Sequence, residues 1–304
     1  MKTVFGLATV VAMGLSAPAF GFGMTASQGA HHEKITRDAM VSIMQASTLE
    51  SFAGKTGTVG AIGAPDVNSA LSSATHCDNG DFFSVAGYPQ TVGVANQALL
   101  ACRTLIFDQI EQAVRDVDRL VGTNNRVVSS QFPSYISCKY VPAVSGRAKC
   151  NALQSLGNAF HASQDSYSHS NWVDQAASGA STVDNPPGLG QSGVSSFLES
   201  PTAAFPPNLI SGCFETTSIG FGESNGCNYS GTTRVKHLRL NKDQPDTLRG
   251  NINDNFTRAR TAAVAETRRT WTYFEARVNA VYGAQRGGVM ICAMKTDNAD
   301  TCSL

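Results

Sequence analysis

His161, Asp165 and His169 recur at intervals of four in the run His161-Ala-Ser-Gln-Asp165-Ser-Tyr-Ser-His169-Ser-Asn171. Each four-residue step on an α-helix turns the direction by about 40°, so the three side chains share one face and span roughly 12 Å. Imidazole nitrogen and carboxylate oxygen are ligands that zinc takes in catalytic sites. Three ligands spread over two turns are too far apart for a single ion. The spacing suits a cluster in which Asp165 bridges neighbouring metals. A helix that carried these groups for packing alone would rarely leave all three unpaired on one face.

Further ligands have to come from elsewhere in the chain, which holds only six histidines. His31 and His32 are adjacent at the start of a helical pattern. Asp66 and His76 fall in a turn-rich stretch, Ala64-Pro65-Asp66-Val67 and then Thr75-His76-Cys77-Asp78-Asn79. His237 opens His237-Leu-Arg-Leu-Asn241-Lys242-Asp243. Calcium and magnesium favour all-oxygen shells, so a histidine-rich set points to zinc. Zinc lowers the pKa of water toward about 7, and ions about 3.5–4 Å apart can hold the oxygens of a phosphoester on both sides of the breaking bond. No P-loop, G-x-S-x-G elbow or H-E-x-x-H motif offers a competing chemistry.

The elements that must position these residues read as helices. Ala148 to Phe160 lacks proline and leads into the central motif. His31 to about Ala46 shows an apolar side of Ile35, Ala39 and Ile43. Asn96 to Val121 carries the stripe Ile106, Ile110, Val114, Val117 and Val121, with Gly122 as a stop. Asn253 to Tyr282 repeats Val264, Trp271, Phe274, Val278 and Val281 before Gly283. Ser51–Gln97 and Ala176–Thr233 are rich in Gly, Ser and Pro and read as long loops. The expected fold is therefore all-α: one multi-helix domain with long, disulfide-stapled loops.

The chain of 304 residues begins as a secretory signal peptide: Lys2, an apolar run from Val4 to Leu15, then Ala17-Pro18-Ala19. Cleavage after Ala19 leaves a mature domain over 20–304 and predicts a secreted or periplasmic protein. Eight cysteines, none in a C-x-x-C pair, suit four structural disulfides. Sequential pairing (Cys77–Cys102, Cys138–Cys150, Cys213–Cys227, Cys292–Cys302) would close short loops. With 23 basic and 23 acidic side chains the protein shows no electrostatic footprint for duplex nucleic acid.

The segment Leu156-Gly-Asn-Ala-Phe-His161-Ala-Ser-Gln-Asp165-Ser-Tyr-Ser-His169-Ser-Asn171-Trp172 resembles the Het-C family, named for a fungal heterokaryon-incompatibility protein. His31-His32-Glu33-Lys34-Ile35-Thr36 and His237-Leu-Arg-Leu-Asn241-Lys242-Asp243 resemble the same family, so the likeness extends from about residue 20 to 250. Het-C domains are in turn distantly similar to zinc-dependent phospholipases C and single-strand-specific zinc nucleases, helical enzymes with three-zinc sites. The resemblance implies the metal ligands His32, Asp66, His76, His161, Asp165, His169 and His237, with two or three zinc ions. It makes Asp165 the bridging acid and Asp66 a ligand or the base that orients water. His32 is preferred over His31 because it precedes the acidic residue. The pattern's late acid is missing four residues after His237, and Asp243 is the candidate for it.

The implied activity is metal-dependent phosphoester hydrolysis of the phospholipase C type. Lys242 is a candidate contact for a substrate phosphate, and Tyr167 and Trp172 flank the motif. The stretch Ala176–Thr233 has no Lys or Arg but holds Phe197, Phe205, Leu209, Phe214 and Phe221. That composition favours a phospholipid headgroup and contact with a membrane surface over a nuclease, which would gain from a basic groove with stacking platforms. Three alternatives stand beside it: a single-strand nuclease, an exported toxin or self-recognition protein with a structural zinc site, and a metal-sequestering protein.

Overall fold

In the computed structural model, residues 30–302 are described apart from 56–57, 134–137, 144–145, 215, 218–219, 222–226 and 230–231. The expected signal peptide over 1–19 lies outside the described residues. Among the described residues seven α-helices carry the fold: α1 (His31–Met40), α2 (Ala46–Ala53), α3 (Ala64–Asn68), α4 (Val92–Asp116), α5 (Ala148–His169), α6 (Asn255–Tyr282) and α7 (Ala284–Lys295). Strand structure among the described residues is limited to two-residue pairs, Thr216–Thr217 with Gly220–Phe221 and Asn228–Tyr229 with Thr232–Thr233. The all-α expectation holds at this level, and no described helix is long and apolar enough to cross a membrane.

The motif helix α5 is the centre of the molecule. It packs on α4 along one side and α6 along another, while α1 and α7 lie against α6. Eighteen of its 22 residues are buried. A helix covered nearly all round needs small or apolar residues throughout, which Ala152, Leu153, Leu156, Ala159, Phe160 and Ala162 supply. Every polar residue on such a helix must then find a partner inside the protein.

Several boundaries differ from those expected. α1 stops at Met40 rather than near Ala46, and α2 forms separately. α4 begins at Val92, where the Thr91 hydroxyl caps Val94 N–H, and tightens into a 3-10 turn at Val117–Leu120. α3 lies inside the stretch read as loop and carries Asp66, and α7 was not expected. All four sequential disulfides form. Cys77–Cys102 ties the loop that carries His76 to α4.

The aromatic residues of the long loop pack inward. Phe197 and Leu209 are buried, Phe205 lies against Phe197, and the Arg103 guanidinium stacks over the Phe197 ring at 4.7 Å. Arg103 also donates to the carbonyls of Phe197 and Ala203. Phe197 and Leu209 are thereby withdrawn from any lipid contact, while Phe205 and Phe214 are half-buried. The side chain of Phe221 lies outside the described residues.

Candidate metal centre

Four elements converge on one face of α5. α1 brings His32, α3 brings Asp66, the loop after α3 brings His76 and Asp78, and a 3-10 turn beginning at His237 brings His237 and then Asp243. Two glycines make the approach possible. A Cβ on Gly157 would stand 2.4 Å from the Ala61 carbonyl oxygen, so only glycine lets the turn before α3 lie on α5. One turn further along, the Ile62 carbonyl accepts from His161 Nδ1 at 3.0 Å. A Cβ on Gly212 would stand 2.3 Å from His237 Cα, and Gly212 N–H donates to the His169 carbonyl.

Hydrogen bonds fix which nitrogen each imidazole presents. His161 Nδ1 and His169 Nδ1 face backbone carbonyls, Ile62 at 3.0 Å and His76 at 2.8 Å, so each Nδ1 carries the proton. Gln164 donates its amide to Thr36 and Thr267, so its oxygen accepts from His32 Nδ1 at 2.8 Å. The Nε2 lone pairs of these three histidines therefore point at carboxylates. This is the arrangement in which a protein acceptor on one ring nitrogen prepares the other as a metal ligand.

A zinc ion with ligands at about 2.0–2.1 Å in a tetrahedron spaces them about 3.3 Å apart. His76, His161 and Asp165 meet that spacing, and His32, Asp66 and His161 form a second, looser trio. His76 Nδ1 is 2.9 Å and His161 Nε2 3.1 Å from Asp165 Oδ2, and the two nitrogens are 3.3 Å apart. Asp66 Oδ1 stands 3.5 Å from His161 Nε2 and 4.0 Å from His76 Nδ1. Both oxygens of Asp66 are buried with no hydrogen-bond partner, an expensive state for a carboxylate that no cation meets.

Asp165 extends the cluster in two further directions. Its Oδ1 is 3.1 Å from His32 Nε2, and it forms a trio with His169 and Asp243. His169 Nε2 is 3.2 Å from Asp243 Oδ1, and His237 Nε2 is 4.0 Å from Asp243 Oδ2. These groups could hold metal ions of the kind that accept nitrogen and oxygen, and Asp165 belongs to two of the trios.

Burial and charge pull these groups in opposite directions. Burial pushes the Asp66 carboxyl up to about 7, against the pull of His32 and His76. Burial also lowers His161 to about 4, with His32 adding to it. Burial would lower His32 too, but the Asp165 carboxylate carries it up to about 9. Asp165 resists the upward push of burial because His161, His169 and His32 surround it, and it lies well below the usual carboxylate range. The cluster takes up positive charge as protons on selected groups, the role that divalent ions fill when present.

All seven expected ligands, His32, Asp66, His76, His161, Asp165, His169 and His237, come together here, and Asp243 joins them. His32 points inward, while His31 packs edge-on against Phe256. Asp78 was missed: it contacts both His169 and His237, and its sequence setting beside Cys77 carried no ligand-like spacing. Lys242 departs from its expected role. It is fully buried, paired with Asp174 at 2.9 Å and donating to the Ser170 and Leu240 carbonyls, which commits all its N–H groups inside the protein. Tyr167 and Trp172 are also buried, and Tyr167 donates to Glu266. No family model, curated protein or solved structure matches this chain.

Proposed function

We propose that this chain is an exported phosphoester hydrolase that works with two or three zinc ions held by His32, Asp66, His76, His161, Asp165, His169, His237 and Asp243. The single observation that carries the reading is Asp165: one buried carboxylate whose two oxygens face separate sets of nitrogen donors. A mononuclear structural site needs four ligands and no shared acid. The resemblance of the central motif to the Het-C family supports the same reading. When bound, zinc supplies Lewis acidity toward a phosphoryl oxygen and acidifies water. Asp165 holds the donors in register. Asp66, buried at the edge of the same cluster, serves as a ligand or as the group that orients the attacking water and accepts its proton. Four disulfides suit the oxidising compartment that an exported protein meets.

A second reading rests on burial. His32, His161, Asp165 and His169 have no exposed surface and His76 only 5 %, which suits a zinc site that stabilises the fold without turnover. One experiment separates the two. Zinc content is measured by elemental analysis, and hydrolysis of phosphatidylcholine micelles, single-stranded DNA and a small aryl phosphodiester is followed before and after chelation. Two or three zinc ions with chelator-sensitive turnover support the hydrolase, and the preferred substrate decides between lipid and nucleic acid. Bound zinc with no turnover on any substrate favours the structural site, and no bound zinc refutes both.

A further inference from the structure

Asp78 is the one acid of the cluster whose partners are the wrong nitrogens for a metal ligand. It is buried, and its Oδ1 lies 3.0 Å from His237 Nδ1 and 3.3 Å from His169 Nδ1. His169 Nδ1 already carries a proton, because the His76 carbonyl stands 2.8 Å from it. The tautomer of His237 follows from Asn241. Asp243 N–H donates to Asn241 Oδ1 at 2.7 Å, which turns the amide nitrogen toward His237 Nε2 at 2.9 Å. An amide N–H can only meet a lone pair there, so His237 Nδ1 holds the ring proton and donates to Asp78. An ion beside Asp78 Oδ1 would have to displace both of these protons.

We infer that Asp78 is a positioning residue which, through one carboxylate oxygen, holds the Nδ1–H groups of His169 and His237, aims the His169 Nε2 lone pair at the ion shared with Asp165 and Asp243, and keeps the His237 Nε2 lone pair, which Asn241 occupies in this structure, free of a proton so that an ion can take the place of that amide. The inference rests on the zinc reading above and assigns Asp78 a place behind the ligands instead of among them. Its reach is unequal by construction. His169 keeps a second acceptor in the His76 carbonyl, whereas Asp78 is the acceptor found for His237 Nδ1. The loop is built to present it: Cys77 is tied to Cys102, and Asn79 N–H donates to the carbonyl of Gly212, which packs against His237.

The test compares Asp78→Asn, Asp78→Ala and Asp243→Ala with the parent protein by zinc titration, elemental analysis and 15N shifts of the histidine rings. Asp78→Asn keeps a neutral acceptor of the same shape, so it remains informative if the alanine variant fails to fold. Carboxylates behind metal-bound histidines typically contribute about 10–100-fold in affinity. The expected result is full zinc stoichiometry at saturation, with one ion bound about 10-fold more weakly in Asp78→Asn and about 100-fold more weakly in Asp78→Ala. The ring shifts of His237 should move more than those of His169. Asp243→Ala should lose an ion outright. Loss of an ion in either Asp78 variant would make Asp78 a ligand and overturn the inference, as would unchanged affinity and unchanged ring shifts. A parent protein that binds no zinc would refute the hydrolase reading, and this inference with it.

Discussion

Asp174 and Asp165 are both fully buried carboxylates, yet the protein treats them differently. Asp174 is closed by cations of the chain itself: Lys242 Nζ lies 2.9 Å from one oxygen and Arg249 Nε 2.9 Å from the other. Asp165, with Asp66 and Asp78, meets only histidines among the ion pairs of the described residues. Burying a carboxylate costs several kcal/mol unless a cation meets it. The first network is therefore complete as folded, and the second is complete only when protons or metal ions enter it. The border runs between adjacent residues: Lys242 belongs to the first and Asp243 to the second. Sequence proximity says little about which network a charge serves.

The largest effect expected from this contrast is on stability. Zinc should stabilise the protein by mass action, by about 4 kcal/mol per ion at a free concentration a thousand times the dissociation constant. Denaturant titrations with and without chelator check it. Asp165→Ala should remove most of that gain, and equal stability in zinc and chelator would break the comparison. Next in size is Asp174→Asn, which strands two buried cations and should cost about 3–5 kcal/mol measured in chelator. Zinc stoichiometry at saturation should stay at the parent value. A missing ion would show instead that the Lys242 network sets the position of Asp243.

These two networks also mark what could be read from sequence. His161, Asp165 and His169 were legible because helical periodicity turns spacing directly into shared direction. His32, Asp66, His76 and His237 were placed by resemblance, since they lie on four separate elements and no spacing rule relates one element to another. Asp78 and Lys242 were misjudged for one reason: each is defined by a partner far along the chain, His237 for one and Asp174 for the other. α3 escaped notice because five residues are too few to show a period, although Pro65 at its first turn is a start signal. α7 was hidden by Gly287 and Gly288, which lower helix propensity in a segment that tertiary packing makes helical. Composition alone also cannot tell a buried ring from an exposed one: Phe197 is buried in the core while Phe205 and Phe214 are half-buried.

The smallest expected effect concerns how α3 is brought to α5. Gly157 faces the Ala61 backbone at a distance that no side chain permits, whereas a Cβ on Gly288 would meet nothing within 4 Å. Both glycines are helical, so replacing either by alanine favours the helix intrinsically. Gly288→Ala should accordingly be neutral or stabilising by about 0.4–1 kcal/mol. Gly157→Ala should instead cost about 1–3 kcal/mol, because the turn at Ala61 must back away. That movement withdraws the Ile62 carbonyl from His161 Nδ1 and carries Asp66 with it, so zinc affinity should fall with stability. Thermal melts of both variants with and without zinc separate the two losses. If Gly157→Ala lost stability but kept parent zinc affinity, the approach of α3 would matter to packing alone, and Asp66 would have to be held at the cluster by the ions instead of by the fold.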